Sequence, residues 1–152
     1  MSNEDPLIPV SISVLALSYS IPWIFIASVI STWYGQYILG IMQMIVFYTS
    51  RMHWSYITRD GLVRHIDIAC ATTTLCYATF VAHIYYPRLA HVWYRTLGIS
   101  VFAFILNEFA LYGMLAYYPI GHYIYYQSVI VHMIFLHILP SISCIYCISM
   151  YE

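Results

Sequence analysis

The chain has too little polar surface to dissolve in water. Of its 152 residues 62% are hydrophobic and 7% charged, with a mean hydropathy of +0.78, and a soluble domain of this size cannot hide so much apolar area in one core. The solvent it specifies is a bilayer, in which the backbone must satisfy its own hydrogen bonds and only helices or closed barrels cross. Its apolar stretches match the roughly 20 residues that one helical crossing needs. The expectation is a single all-α domain, a polytopic transmembrane bundle of about five helices, at about 7–31, 37–53, 64–86, 96–117 and 123–149.

Aromatic and turn-forming residues set these limits. Trp33-Tyr34-Gly35 separates the first two helices, and Tyr118-Pro119-Ile120-Gly121 the last two, because amphipathic rings favour headgroup depth and Pro and Gly break helices. Polar loops are expected at 54–63, around Arg59-Asp60-Gly61, and at 87–95, which holds Arg88, His91 and Arg95. Pro22 and Pro140 fall inside the first and last helices, where a kink is tolerated if neighbours satisfy the freed carbonyl. The start, Met-Ser-Asn-Glu-Asp, is acidic where a signal peptide is basic, so the first apolar segment reads as a retained helix.

Composition also excludes functions. A net charge of −1 gives no case for nucleic acid. The five basic residues are Arg51, Arg59, Arg64, Arg88 and Arg95, so there is no lysine to form a retinal or pyridoxal Schiff base. Three of these arginines fall on one side of a five-helix serpentine and two on the other, a difference that leaves orientation open under the positive-inside rule.

Ionisable groups at membrane depth are functional candidates because they are expensive to keep there. They gather in two places, Thr49-Ser50-Arg51-Met52-His53-Trp54 with Arg64-His65-Ile66-Asp67, and His132 to His137. Helix parity brings the end of the second helix, the start of the third and the start of the fifth to one membrane face, so Ser50, His53, Asp67 and His132 share a side. His137 lies one turn and a half deeper, and at 100° per residue it points about 140° away from His132 on a regular α-helix. A π-bulge or the disturbance at Pro140 would realign the two.

Neutral imidazoles and a carboxylate are the donors that Zn²⁺ takes, and three protein ligands with an open position make the catalytic pattern. In that reading Asp67 accepts the proton of a water whose pKa the metal has lowered, and Ser50 orients the water or polarises a carbonyl. The plainer reading is that each histidine ties one helix to another by a hydrogen bond. A b-type haem would need axial histidines at matching depth, for which only His53 or His65 with His132 qualifies.

The run Thr49-Ser50-Arg51-Met52-His53, then Arg64-His65-Ile66-Asp67, then Ser128 and His132 to His137, resembles the CREST superfamily of membrane hydrolases. That group holds the alkaline ceramidases, the adiponectin/progestin receptors and haemolysin III-type proteins. The resemblance implies a zinc-dependent hydrolase of lipid amides or esters, with His53, His132 and His137 as zinc ligands and Asp67 and Ser50 holding the water. The family spaces its Ser and His by four residues, whereas Ser50 and His53 are three apart and Thr49 occupies the four-residue position. Its last histidine pair is also four apart, against five here, and its core has seven helices. The chain is similar, too, to short multi-pass proteins of giant viruses and algae. A reading from another class is a small non-catalytic subunit that packs against membrane-protein partners.

Three further features read as structural. Asn107-Glu108 sits near the middle of the fourth helix, where a carboxylate is expected to be protonated or paired, a Ser or Tyr of a neighbouring helix being one such partner, with a proton or ion relay as the functional alternative. Cys144-Ile-Tyr-Cys147 has the CxxC spacing without a thioredoxin-like context, and the cysteines read as small hydrophobes. Of the second helix, apolar residues such as Ile38, Leu39 and Ile41 are expected to include the lipid-facing ones.

Overall fold

The computed structural model describes residues 14–55, 62–117 and 122–151, and their side chains outside 110–126. These residues form an all-α bundle of five helices with no strand among them. The first, α1, spans Ala16–Trp33; α2 is Tyr37–Ser55, α3 Leu62–Tyr85 and α4 Ala90–Tyr117. The fifth, α5, joins His122–His132, Met133–Ile138 and Leu139–Ser149 end to end. Three stretches, Ala16–Trp33, Leu62–Tyr85 and Gln127–Ser149, are long and apolar enough to cross a membrane. The expected start of the first helix near Leu7, residues 56–61 of the loop expected at 54–63, and the turn at 118–121 lie outside the described residues.

One boundary needs correction. Residues 90–95, expected in a polar loop, form the first turns of α4, and the connection from α3 shrinks to Tyr86-Pro87-Arg88-Leu89. Charge disguised an amphipathic helix: Ala90, Trp93, Thr96 and Ser100 are buried at helical spacing, while His91, Tyr94 and Arg95 face outward.

α1 and α2 pack closely, and two glycines permit it. Gly35 turns the chain between them with φ at +80°, a conformation that costs glycine nothing. Gly40 then lets the backbones approach: Ser28 Oγ donates to its carbonyl at 2.7 Å. A Cβ at Gly40 would run into Thr32 Oγ1 and come within 3.0 Å of the Ser28 carbonyl. Gly40→Ala is therefore expected to destabilise the fold by about 1–3 kcal/mol, the usual penalty of overpacking. Thermal unfolding in detergent measures this, and an unchanged midpoint would show that the two helices separate freely.

The core follows the inner stripe of α2, where Leu39, Gly40, Gln43, Val46 and Ser50 are buried. Leu39 is 1% exposed and joins Val81, Ala82, Trp93, Cys144 and Ile148 in the apolar cluster, whereas Ile38 and Ile41 are 59% and 62% exposed as the lipid-facing reading requires. Leu39 thus belongs to the inner stripe. Polar groups inside the bundle are matched across helices, as they must be away from water. Ser31 Oγ donates to Gln43 Oε1 at 2.8 Å, Gln43 Nε2 donates to Cys144 Sγ at 3.2 Å, and Ser128 Oγ donates to Asn107 Oδ1 at 2.6 Å. Cys144 and Cys147 are buried free thiols.

Two π-helical segments set the shape of the bundle's interior. Ala16–Ser20 in α1 and Met133–Ile138 in α5 each end two residues before a proline, Pro22 and Pro140. A proline ring collides with the carbonyl four residues back and offers no N–H, and an i→i+5 turn just before it relieves that collision. The wider pattern is seen in Ile21 N–H donating to the Ala16 carbonyl and Leu139 N–H to the Ile134 carbonyl. By the same pattern Pro140 would have served the Phe135 carbonyl, and Ser100 Oγ donates to that oxygen instead, at 2.6 Å. The two π segments touch each other, and the histidines stand beside that junction.

Candidate functional site

On a regular helix His132 and His137 would point apart, and the π turn between them reverses this. Residues five apart lie one above the other across an i→i+5 turn, and the two imidazoles meet edge to face with centroids 4.9 Å apart. Proline chemistry in α5 therefore builds the histidine pair.

His137 is held from α1. Its Nδ1 lies 2.9 Å from Ser20 Oγ, which also donates to the Ala16 carbonyl at 2.9 Å. Serine has one hydroxyl proton, and with that committed to Ala16 the oxygen accepts from Nδ1–H of the ring. The tautomer this selects leaves a lone pair on Nε2. A histidine oriented through one nitrogen with the other available is the usual arrangement for a metal ligand or an acceptor.

The second helix brings His53 and Trp54. The Trp54 indole stands between the histidines, with ring centroids 5.5 Å from His53, 5.1 Å from His132 and 6.2 Å from His137. It is 3% exposed, and its Nε1–H is buried without a hydrogen-bond partner among the described residues. Buried donors are nearly always satisfied, so an orphan of this kind calls for an explanation.

Asp67, from the first turns of α3, faces α2 one turn before His53. Its Oδ1 accepts from Ser50 Oγ at 2.7 Å and from Thr49 Oγ1 at 2.8 Å. Ser50, His53 and Asp67 are all buried. Thr49 and Ser50 thus act together on one oxygen, which accounts for adjacent hydroxyl residues at this place in the sequence. In this arrangement the Ser50 proton is engaged with Asp67.

One turn toward the middle of the bundle from Ser50 and Asp67 lie Val46 and Ala71. They line a cavity of about 60 Å³ together with Thr74, Leu136, Pro140 and Cys144. None of the clustered polar residues lines it.

The five residues singled out in the sequence are brought to one end of the bundle, in two linked groups. His53, His132 and His137 surround Trp54, and Ser50 with Asp67 joins α2 to α3 one turn away. As zinc donors they fit in chemistry: three imidazoles, one already oriented. Their spacing does not close into a metal site, since among the described residues no three His, Cys, Asp or Glu side chains stand together closely enough to hold an ion. His53 meets the indole rather than the other two rings. Trp54 and Ser20 were missed by sequence reading; Ser20 has a signal in its place beside Pro22, and Trp54 in its position next to His53.

Glu108 is paired, as expected of a carboxylate at this place, and the partner is Arg64 at 2.6 Å, both side chains being partly exposed. Arg64 lies one turn from Asp67, so Glu108 reaches the same end of the bundle as the histidines.

Compared with known proteins, the chain matches no family model, no curated protein and no solved structure.

Proposed function

We propose that the chain is a multi-pass integral membrane protein carrying a divergent zinc-dependent lipid amide or ester hydrolase site of the CREST type. The observation that carries this reading is the π turn that pairs His132 with His137 despite their five-residue spacing. A wider helical turn compensates the departure from the family's four-residue spacing. Support for the multi-pass part comes from three helices of membrane-spanning length, with α2 and α4 packed among them and Gln43, Ser50, Thr96, Ser100 and Asn107 turned inward.

In this reading His53, His132 and His137 hold zinc, which supplies water activated at neutral pH when bound. Asp67 receives the proton, and Thr49 and Ser50 fix the carboxylate by two hydrogen bonds to one oxygen, leaving Oδ2 for that task. Ser20 holds His137 in the tautomer that presents Nε2.

A specific observation favours a second reading, the non-catalytic subunit. The histidine donors do not converge as arranged, and the hydrogen bond from His137 to Ser20 already ties α5 to α1. The two readings part on metal content. Elemental analysis of protein purified in metal-free detergent buffer is expected to find one zinc per chain, falling severalfold in His53→Ala and His137→Ala. Well under one zinc in the wild type, with hydrolysis of lipid amides and esters at background, would remove the enzyme and leave the packing role.

A further inference from the structure

We propose that the Trp54 indole N–H is the hydrogen-bond donor that receives the carbonyl oxygen of the scissile amide or ester. This rests on the hydrolase reading above. Acyl hydrolysis places negative charge on that oxygen, and a preorganised donor aimed at it is a large part of the rate. The hydroxyls that the sequence offers for the task are committed. Ser50 and Thr49 donate to Asp67, and Ser20 to the Ala16 carbonyl. Arg64 is engaged with Glu108. Among the described residues Trp54 Nε1–H is buried without a partner, and its ring lies within about one side chain's width of all three histidines. An indole donates and does not accept, so the atom it takes is an acceptor such as a carbonyl oxygen. A buried donor left unsatisfied costs free energy that the arriving oxygen relieves. The lone-pair nitrogen of His137 nearby cannot supply that donor itself.

The test uses the full chain in lipid nanodiscs, labelled with ¹⁵N-tryptophan and stripped of metal with a chelator, so that no ligand is held by zinc. The four tryptophans give four indole N–H resonances. Trp54 is assigned by its loss in Trp54→Phe or, if that variant does not fold, by elimination with Trp23→Phe, Trp33→Phe and Trp93→Phe. Octanamide is the probe and octane, which has no carbonyl, the control. The expected result is a downfield shift of the Trp54 resonance with octanamide and none with octane. The resonance of Trp93, whose Nε1 donates to Thr79 Oγ1 at 2.9 Å, should not move. In zinc-loaded protein Trp54→Phe is expected to lower kcat by about 10²–10³-fold with KM within a few fold, the pattern of a lost oxyanion donor. A Trp54 resonance unmoved at saturating octanamide would overturn the proposal, and so would one already hydrogen-bonded before the probe is added. A shift in protein that neither retains zinc nor hydrolyses lipid would keep the donor and defeat the hydrolase reading. Zinc and hydrolysis without the shift would defeat the donor alone.

Discussion

On the proposed hydrolase reading, Asp67→Asn is expected to lower lipid hydrolysis by about 10²–10⁴-fold, the usual contribution of a positioned general base, while leaving the fold and the zinc content in place. The geometry makes this substitution clean. Ser50 and Thr49 both donate to Oδ1, 2.7 and 2.8 Å away, and an asparagine oxygen at that position accepts both bonds as the aspartate does. What the amide cannot do is take up a proton. Asp67→Ala is the contrasting variant: Thr49 keeps the Val46 carbonyl at 3.2 Å as an acceptor, but the buried Ser50 hydroxyl loses its partner, at a cost of about 1–3 kcal/mol. Its activity loss would therefore be accompanied by a lower unfolding midpoint, whereas that of Asp67→Asn would not. Hydrolysis rates, metal content and thermal unfolding measured on the same preparations check this. Asn activity within a few fold of wild type would show that Asp67 only ties α2 to α3.

The fold was legible because apolar runs of membrane length leave little else for this chain to be. The site was legible only in outline. Helix parity placed Ser50, His53, Asp67 and His132 at one end, and the structure gathers them there. Parity says nothing of rotation about a helix axis, and on a regular helix His137 faces away from His132. The proline two residues beyond the π segment is the physical cause of their meeting, and its equivalent beyond Ala16–Ser20 supplies Ser20 from the opposite helix. Proline in a sequence announces a disturbance without saying whether it becomes a kink, a break or a wider turn. Trp54 stayed hidden for a different reason: a tryptophan at a helix end reads first as an interfacial anchor, whereas here its ring turns inward and its N–H finds no partner among the described residues. The start of α4 was misjudged because Arg95 and His91 were weighed by charge, while the buried stripe of Ala90, Trp93 and Thr96 carried the helix.

The pair of Arg64 and Glu108 leads to the second large effect. Removing one member of an ion pair held inside a protein is far more costly than replacing both, because the remaining charge loses its counterion in a medium that solvates it poorly. The two side chains are 16% and 24% exposed, which reduces the penalty below that of full burial. Glu108→Leu is expected to destabilise the bundle by about 2–4 kcal/mol, and the double variant Arg64→Met with Glu108→Leu to recover most of that loss. The bond joins α3 to α4, two helices with few other polar ties among the described residues beyond Trp93 to Thr79 and His83 to Tyr94. Loosening it frees the first turn of α3, on which Asp67 sits. Glu108→Leu should therefore lower hydrolysis as well, through Asp67 and not through zinc, with the double variant regaining both stability and rate. Unfolding free energies of the two single variants and the double variant, closed as a thermodynamic cycle, decide it. A double variant no more stable than Glu108→Leu would mean that the carboxylate acts through something other than Arg64.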